Sequence, residues 1–89
     1  MDELIKNVII SNELGLHARS AAKLAKLAGK AAAGIWIVKG DEEADATSVI
    51  DVLTLACLKG TRVSVRIEDS QDSGVLNDMV MLIENGFEE

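Results

Sequence analysis

Alternating apolar and polar residues predict two β-strands, and two further strands are predicted between them from a β-branched and aromatic run bounded by glycines and from the short polar segment that follows it. The last of the four strands alternates most regularly, with Val63, Val65 and Ile67 facing inward. In the first strand the same alternation places Val8 and Ile10 on one face. The predicted strands cover Glu3–Ser11, Ile35–Val38, Asp41–Ala46 and Thr61–Ile67, of which the third is polar and is expected to be a short edge strand.

Three further segments have the apolar spacing that is typical of helices. The first is rich in alanine, leucine and lysine, and Gly29 marks its end. The second begins at Ser48 with Asp51 three residues later, a weaker relative of the capping box. The third ends at Asn85–Gly86, beyond which Phe87 is expected to fold back onto apolar neighbours. The predicted helices cover Ala18–Ala28, Ser48–Leu58 and Asp72–Asn85.

The predicted element order is β-α-β-β-α-β-α, within one domain that spans residues 1–89. The strands are too few and too short for a doubly wound sheet, so the order favours a two-layer α+β sandwich. A chain of 89 residues leaves no volume for an enclosed substrate chamber. We therefore expect function to lie on the surface, in a shallow site or a protein contact.

Composition excludes several classes of protein. One cysteine cannot form an internal disulfide, and one cysteine with one histidine cannot supply an ordinary zinc site. No apolar run approaches the roughly 20 residues of a membrane span, and the acidic start does not resemble a signal peptide. The net charge of −6 argues against nucleic acid as a partner. We expect a cytoplasmic protein without membrane insertion, and without a metal or other cofactor.

Cations are concentrated around the single histidine, His17. No acidic residue occurs from position 14 to position 40, although the chain has 15 of them. Four cations in this window share one face of the first helix: Arg19, Lys23, Lys26 and Lys30. Such a row is typical of a solvated helix face, and a lone histidine is typically a solvent-facing residue without a task. Their coincidence makes an anion site an equal alternative.

The position of His17 at the predicted start of a helix suits it to phosphoryl chemistry. A helix start has unpaired N–H groups and a partial positive charge, which together bind anions. The same dipole favours the neutral, nucleophilic form of an imidazole. Arg19, two residues later, carries a guanidinium that can bind two phosphate oxygens. This short segment thus offers a nucleophile, an anion cradle and a charge clamp.

The second helix is apolar along almost its whole length. A short helix buries only one stripe, so Val49, Ile50 and Leu53 are candidates for an exposed contact surface. The alternative is that the segment is buried on two sides. Cys57 is interpreted as a small packing residue rather than a redox group.

The run Leu14-Gly15-Leu16-His17-Ala18-Arg19, followed by an alanine-rich helix, resembles the active-site signature of HPr, the histidine phosphocarrier of the phosphoenolpyruvate-dependent phosphotransferase system. The resemblance covers essentially the whole chain. It implies an open-faced β-sandwich, with a four-stranded antiparallel sheet and three helices on one face. It also implies a monomeric carrier with a phosphohistidine intermediate, rather than a stand-alone enzyme.

The resemblance implies partners and residue roles as well. His17 would receive phosphate from enzyme I and pass it to an enzyme IIA domain, with Arg19 assisting at the phosphorylated ring. The apolar residues Val49, Ile50 and Leu53 would dock these partners, and Lys26 matches a partner-facing position. A regulatory HPr serine kinase is a further candidate partner, because Ser48 matches a serine that is phosphorylated in some members.

Two positions depart from the family pattern. Ser20 stands where the motif usually continues with proline; it restores an N–H and adds a hydroxyl at the edge of the partner-binding site. Around Ser48, the family's lysine, methionine and glycine are replaced by Thr47, Ile50 and Asp51. Ser48 is therefore also interpreted as a simple helix cap, since Asp51 would repel a phosphate added there.

The bare face of such an open sheet would include Trp36, beside Arg62 and Arg66. We expect the indole to pack on an arginine by a cation–π contact, in preference to forming a self-association surface.

Two other functions stay open. The departures at Ser20 and Ser48 are compatible with a regulatory HPr-like protein that binds targets according to its phosphorylation state, without feeding sugar transport. An acyl-carrier-like domain is suggested only by acidic composition and the Asp-Ser pairs at 69–70 and 72–73.

Overall fold

The computed structural model describes residues 4–89, so the predicted strand residue Glu3 lies outside the described part. The strands are β1 (Ile5–Ile9), β2 (Ile35–Lys39), β3 (Glu42–Asp45) and β4 (Arg62–Ile67). The helices are α1 (Ala18–Ala28), α2 (Val49–Thr54) and α3 (Ser73–Glu84). Two 3-10 turns, Ser70–Asp72 and Gly86–Glu88, flank α3. The predicted element order is confirmed.

The four strands form one antiparallel sheet in the order β1-β4-β2-β3. Residue Val65 of the central strand β4 pairs with Lys6 on one side and with Ile37 on the other. Side chains of one strand alternate between the two faces of a sheet. The inward-facing residues Val63, Val65 and Ile67 are each at most 1% exposed, as the alternation predicted.

One hydrophobic cluster fills the space between the helices and a single face of the sheet. Helix α3 packs on β1 and β4, and α1 packs against both α2 and α3. The core is almost wholly aliphatic, and its largest member, Phe87, is fully buried. The result is the expected open-faced α+β sandwich, with three helices on one face of the sheet.

The second helix is shorter than predicted. It ends at Thr54 rather than Leu58, and Ala56 adopts a left-handed backbone with φ 52°. Beyond Thr54 the backbone no longer forms helical hydrogen bonds alone: the carbonyl of Leu55 accepts a hydrogen bond from Lys39 Nζ at 2.8 Å. Apolar composition alone over-extended the helix. Cys57 packs in the core as predicted, and burial raises the pKa of its thiol.

The bare face of the sheet carries the expected cation–π pair. The guanidinium carbon of Arg66 lies 5.8 Å from the centroid of the Trp36 ring. Trp36 Nε1 also donates to Glu68 Oε1 at 2.8 Å, so the indole is tied into a polar network.

The acyl-carrier alternative is wrong, because such carriers are all-helical and this chain forms a four-stranded sheet. Asp72, which suggested it, has a structural task instead. Its buried carboxylate accepts hydrogen bonds from the N–H groups of Ala32 and Ala33, at 2.8 and 3.0 Å, and joins the loop before β2 to the start of α3.

Candidate functional site

The turn between β1 and α1 is fixed by a glycine that no other residue can replace without cost. Gly15 has φ 67°, and a Cβ on it would collide with the carbonyl oxygen of Cys57. The next residue, Leu16, donates its N–H to that same carbonyl at 2.8 Å. Close approach of these two loops sets the position from which α1 begins.

His17 is the N-cap residue of α1, with an extended backbone at φ −118° and ψ −178°. Its Nδ1 accepts the N–H of Arg19 at 3.3 Å. An imidazole nitrogen that accepts a hydrogen bond carries a lone pair and no proton. The ring, whose side chain is 25% exposed, therefore turns its nucleophilic nitrogen toward the positive end of the helix.

Ser20 completes the cap from the third helical position. Its Oγ accepts the N–H of His17 at 3.0 Å and donates to the carbonyl of Gly15 at 3.0 Å. The side chain is fully buried, which leaves it no surface for direct contact with a partner. The hydroxyl that distinguishes this chain from the usual proline thus holds the backbone of His17 in place.

The other ring nitrogen of His17 faces a carboxylate from the far end of the chain. Nε2 lies 2.6 Å from Oε2 of Glu89, whose Oε1 accepts Asn12 Nδ2 at 2.9 Å. The pKa of Glu89 is lowered, chiefly by the hydrogen bond from Asn12 and further by the hydrogen bond from His17 and the charge of Arg19. Glu89 is accordingly ionised at neutral pH.

The four predicted cations differ in their relation to the histidine. Arg19 is exposed and, with Asn12 and Glu89, borders a shallow cavity of about 360 Å³. Lys23 donates from Nζ to the carbonyl of Phe87 at 2.6 Å, so it connects α1 to the segment after α3. Lys26 is exposed farther along α1, and Lys30 is exposed in the turn that follows the helix. Among the four, Arg19 is the cation placed to hold an anion on His17.

An exposed apolar surface lies on α2, which packs against α1. Ile50 is 75% exposed and Leu53 is 36% exposed, whereas Val49 is half-buried against the core. Two leucines that were not predicted extend this surface on the loops beside Gly15: Leu14 is 62% exposed and Leu58 is 71% exposed. Leu58 was missed because the second helix was expected to continue through it.

Ser48 occupies the N-cap of α2. Its Oγ accepts the N–H of Asp51 at 3.2 Å, so the helix-cap interpretation describes a contact that is present. The serine is half-buried.

Asn12 and Glu89 are the site residues that sequence reasoning missed. Asn12 lies in the turn before α1, and no sequence motif marks its side-chain amide as part of a site. Glu89 is 72 positions from His17 along the chain, and only the packing of Phe87 brings it back. The one available signal was the expectation that Phe87 folds onto the core.

A lone-pair nitrogen, helix N–H groups and an arginine on an open surface form a site for a small anionic group. Together with the open-faced sandwich they define the class: a small α+β domain with a partly exposed histidine at the start of its first helix. Within residues 4–89, no helix combines the length and apolar character needed to cross a membrane.

Comparison with known proteins agrees with that class. The family model described as "PTS HPr component phosphorylation site" matches residues 4–85. The chain is 39% identical to the phosphocarrier protein HPr of Pseudomonas aeruginosa, over 92% of each chain. It is 37% identical to the phosphocarrier protein NPr of Shewanella violacea, over 100% of this chain and 98% of that one.

A solved structure shares the whole architecture. The crystal structure of HPr from Thermoanaerobacter tengcongensis is 30% identical, with a TM-score of 0.89 over 100% of this chain and 98% of that chain. The chain therefore belongs to the HPr family, the phosphocarriers of the phosphotransferase system.

Proposed function

We propose that this protein accepts a phosphoryl group on Nδ1 of His17 from phosphorylated enzyme I and passes it to an enzyme IIA domain. The observation that carries the proposal is the hydrogen bond from Arg19 N–H to Nδ1. Because Nδ1 accepts this bond, it carries a lone pair and no proton at the start of α1. The 3.3 Å length of this bond makes it easy to exchange for a bond to phosphorus.

The surroundings of Nδ1 suit the phosphorylated state. Helix N–H groups and the partial positive charge of α1 stabilise the added negative charge. The guanidinium of Arg19, exposed beside the ring, supplies charge-assisted hydrogen bonds to the phosphate oxygens. Within the first turn of α1 there is no acidic residue to oppose that charge.

Docking is assigned to the apolar surface of α2 and the adjoining loops. Ile50 and Leu53 are its exposed members, Val49 supports them from below, and Lys26 lies on the neighbouring helix α1. Ser20 contributes indirectly, through the cap that holds His17. The protein is proposed to act as a monomer in the cytoplasm, as the family resemblance implies.

The test is transfer with purified components. We expect phosphoenolpyruvate and the organism's own enzyme I to add one acid-labile phosphate, and His17→Ala to abolish it. A panel of enzyme IIA domains and regulatory proteins then identifies the acceptor, and a regulatory target in place of any IIA domain would favour the regulatory alternative. A wild-type chain that stays unmodified would contradict the proposal.

We propose Ser48 as a second, regulatory phosphorylation site, because it matches a serine that is phosphorylated in some members of the family. A phosphate on its Oγ would face the first N–H groups of α2 but also the carboxylate of Asp51, three residues on. The test is incubation with an HPr serine kinase, which should add an acid-stable phosphate to the wild-type chain and none to Ser48→Ala. Absence of label from the wild-type chain would leave Ser48 as a cap alone.

A further inference from the structure

We propose that Glu89 is a positioning residue for phosphoryl transfer, because it holds the proton of His17 on Nε2 and so keeps Nδ1 unprotonated, with the lone pair that attacks phosphorus. The inference rests on the proposed function of His17. An ionised carboxylate only accepts hydrogen bonds. The 2.6 Å contact between Glu89 Oε2 and Nε2 therefore requires the proton to lie on Nε2. The lone pair on Nδ1, which faces Arg19 N–H, is the other half of the same tautomer.

The carboxylate is itself held in place by a buried amide. Asn12 is only 6% exposed, and its Nδ2 donates to the carbonyl of Gly15 at 2.8 Å and to Glu89 Oε1 at 2.9 Å. Each oxygen of Glu89 thus has its own donor, Asn12 for Oε1 and His17 for Oε2. The arrangement connects the turn before α1 to the imidazole through one carboxylate.

The backbone that brings Glu89 to the ring is anchored on both sides. Phe87 is fully buried, and its carbonyl accepts Lys23 Nζ at 2.6 Å. Phe87 and Glu88 both adopt the left-handed backbone, with φ 58° and 62°. Two successive non-glycine residues rarely take that conformation, so it persists only where the surroundings impose it. Here it reverses the chain after α3 and aims Glu89 back at α1.

The consequence for the reaction follows from where the electrons go. The lone pair of Nδ1 forms the new bond to phosphorus, while the bond between phosphorus and the donor breaks and its electron pair leaves with the donor. Nε2 keeps its proton throughout, so the ring becomes positively charged as the bond forms. The carboxylate of Glu89, 2.6 Å from Nε2, compensates that developing charge. On the return transfer the ring departs as neutral imidazole in its starting tautomer.

The first test needs no phosphoryl donor. Nitrogen-15 chemical shifts of the imidazole, recorded near pH 9 where a histidine is neutral, report which nitrogen carries the proton. We expect nearly pure Nε2–H in the wild-type chain and a several-fold increase in the Nδ1–H tautomer in Glu89→Ala. Glu88→Ala is the matched control, because its side chain is exposed and adjacent, and it should keep the wild-type tautomer.

The second variant guards against a folding effect. Glu89→Gln preserves size but replaces one of the two acceptor oxygens with an NH2 donor, so that Asn12 and His17 no longer each have an acceptor. The proportion of its Nδ1–H tautomer should lie between those of the wild-type chain and Glu89→Ala. An unchanged tautomer in both Glu89 variants, with the wild-type amide spectrum otherwise retained, would overturn the inference.

Kinetics separate this inference from the proposed function. With phosphorylated enzyme I, Glu89→Ala should lower kcat about ten-fold, by analogy with the loss of a side chain that orients a metal-bound histidine, while KM changes little because Glu89 is not on the docking surface. A rise in KM with kcat unchanged would contradict the positioning role. Failure of the wild-type chain to accept phosphate would contradict the proposed function and leave the tautomer result standing.

Discussion

Helices α1 and α2 begin in the same way but differ in the charge beside the cap residue. Each has an N-cap residue in extended conformation whose side chain accepts a backbone N–H: His17 accepts from Arg19, and Ser48 accepts from Asp51. In α1 the first turn contains Arg19 and no acid, whereas the first turn of α2 contains Asp51. The backbone geometry is shared, and the charge is opposite.

The comparison teaches that a helix start is only half of an anion site. The N–H groups and the dipole are present at both positions. Helix α1 differs in having an imidazole as its cap and an arginine beside it. Contacts made by Gly15, Ser20 and Glu89 hold the backbone and the ring of His17 in place. At α2 an acid stands in the first turn, and the exposed Ile50 offers an apolar surface for contact with a protein.

The largest expected effect comes from the turn that supports only the first start. Gly15→Ala should destabilise the protein by about 2–4 kcal/mol, because it adds a collision with the Cys57 carbonyl to the strain of a left-handed backbone. Gly40→Ala is the control, since Gly40 also has positive φ but no atom within 4 Å of the added Cβ. Urea unfolding measures both. Equal losses in the two variants would mean that the contact with Cys57 is unimportant.

Removal of the arginine should make the first start resemble the second. Arg19→Gln is expected to lower kcat/KM for phosphorylation by about 100-fold, the order found when a preorganised donor to developing negative charge is lost. Lys30→Gln removes an equal charge just beyond the far end of the same helix and should change the rate little. Comparable losses in both would indicate that only the overall charge of α1 matters.

The apolar surface of α2 should matter for binding and hardly for stability. Ile50→Asp is expected to weaken binding to enzyme I about ten-fold, in the range of an interface residue of moderate importance, while unfolding changes by no more than about 0.5 kcal/mol. Met81→Asp alters a similarly exposed apolar residue on α3 and should leave affinity unchanged. Titration calorimetry gives both affinities, and a normal affinity for Ile50→Asp would place the docking surface elsewhere.

Removal of either capping hydroxyl should reduce stability by a similar amount, but only one of the two removals should affect phosphorylation. Ser20→Ala and Ser48→Ala are each expected to lose about 1 kcal/mol, as is usual for capping side chains. Only Ser20→Ala should also slow phosphorylation, since only its hydroxyl holds the backbone of His17. Thermal unfolding and a phosphorylation time course of both variants test this. Slowing by Ser48→Ala to the same degree would contradict the division between the two starts.

The smallest expected effect is a shift in one titration. The pKa of the Glu89 carboxyl is lowered chiefly by the hydrogen bond from Asn12, so Asn12→Ala should raise it toward the ordinary glutamate value. Because the folded pKa is the lower one, this contribution to stability is present above the ordinary glutamate pKa and is lost as pH falls through the folded value. Carbon-13 NMR of the carboxyl follows the titration. No movement in Asn12→Ala would exclude the amide as the cause.

Local signals in the sequence were enough to predict the fold and to select His17 as the candidate phosphate acceptor. The alternation in β4 and the helical spacing in α3 follow from which side chains are buried, and the order of apolar and polar residues shows this directly. His17 could be selected because it stands near Arg19 in a window without acidic residues. The exception was α2, where apolar composition could not reveal that the backbone turns left-handed at Ala56. The family resemblance, rather than the spacing of residues, supplied the reaction.

The remainder of the site depends on contacts between distant parts of the chain. Asn12 and Glu89 meet His17 because Phe87 is buried and the chain reverses after α3. No periodicity or motif connects positions 17 and 89. Likewise, burial of the Ser20 hydroxyl could not be read from its place in the motif.

The most direct test of the central claim is the position of the phosphate after reaction with phosphoenolpyruvate and enzyme I. Phosphorus-31 and nitrogen-15 NMR of the product distinguish Nδ1-phosphohistidine, Nε2-phosphohistidine and phosphoserine. Our account predicts a single phosphate on Nδ1 of His17, at the start of α1. A phosphate on Nε2 of His17, or on Ser48 at the start of α2, would contradict it.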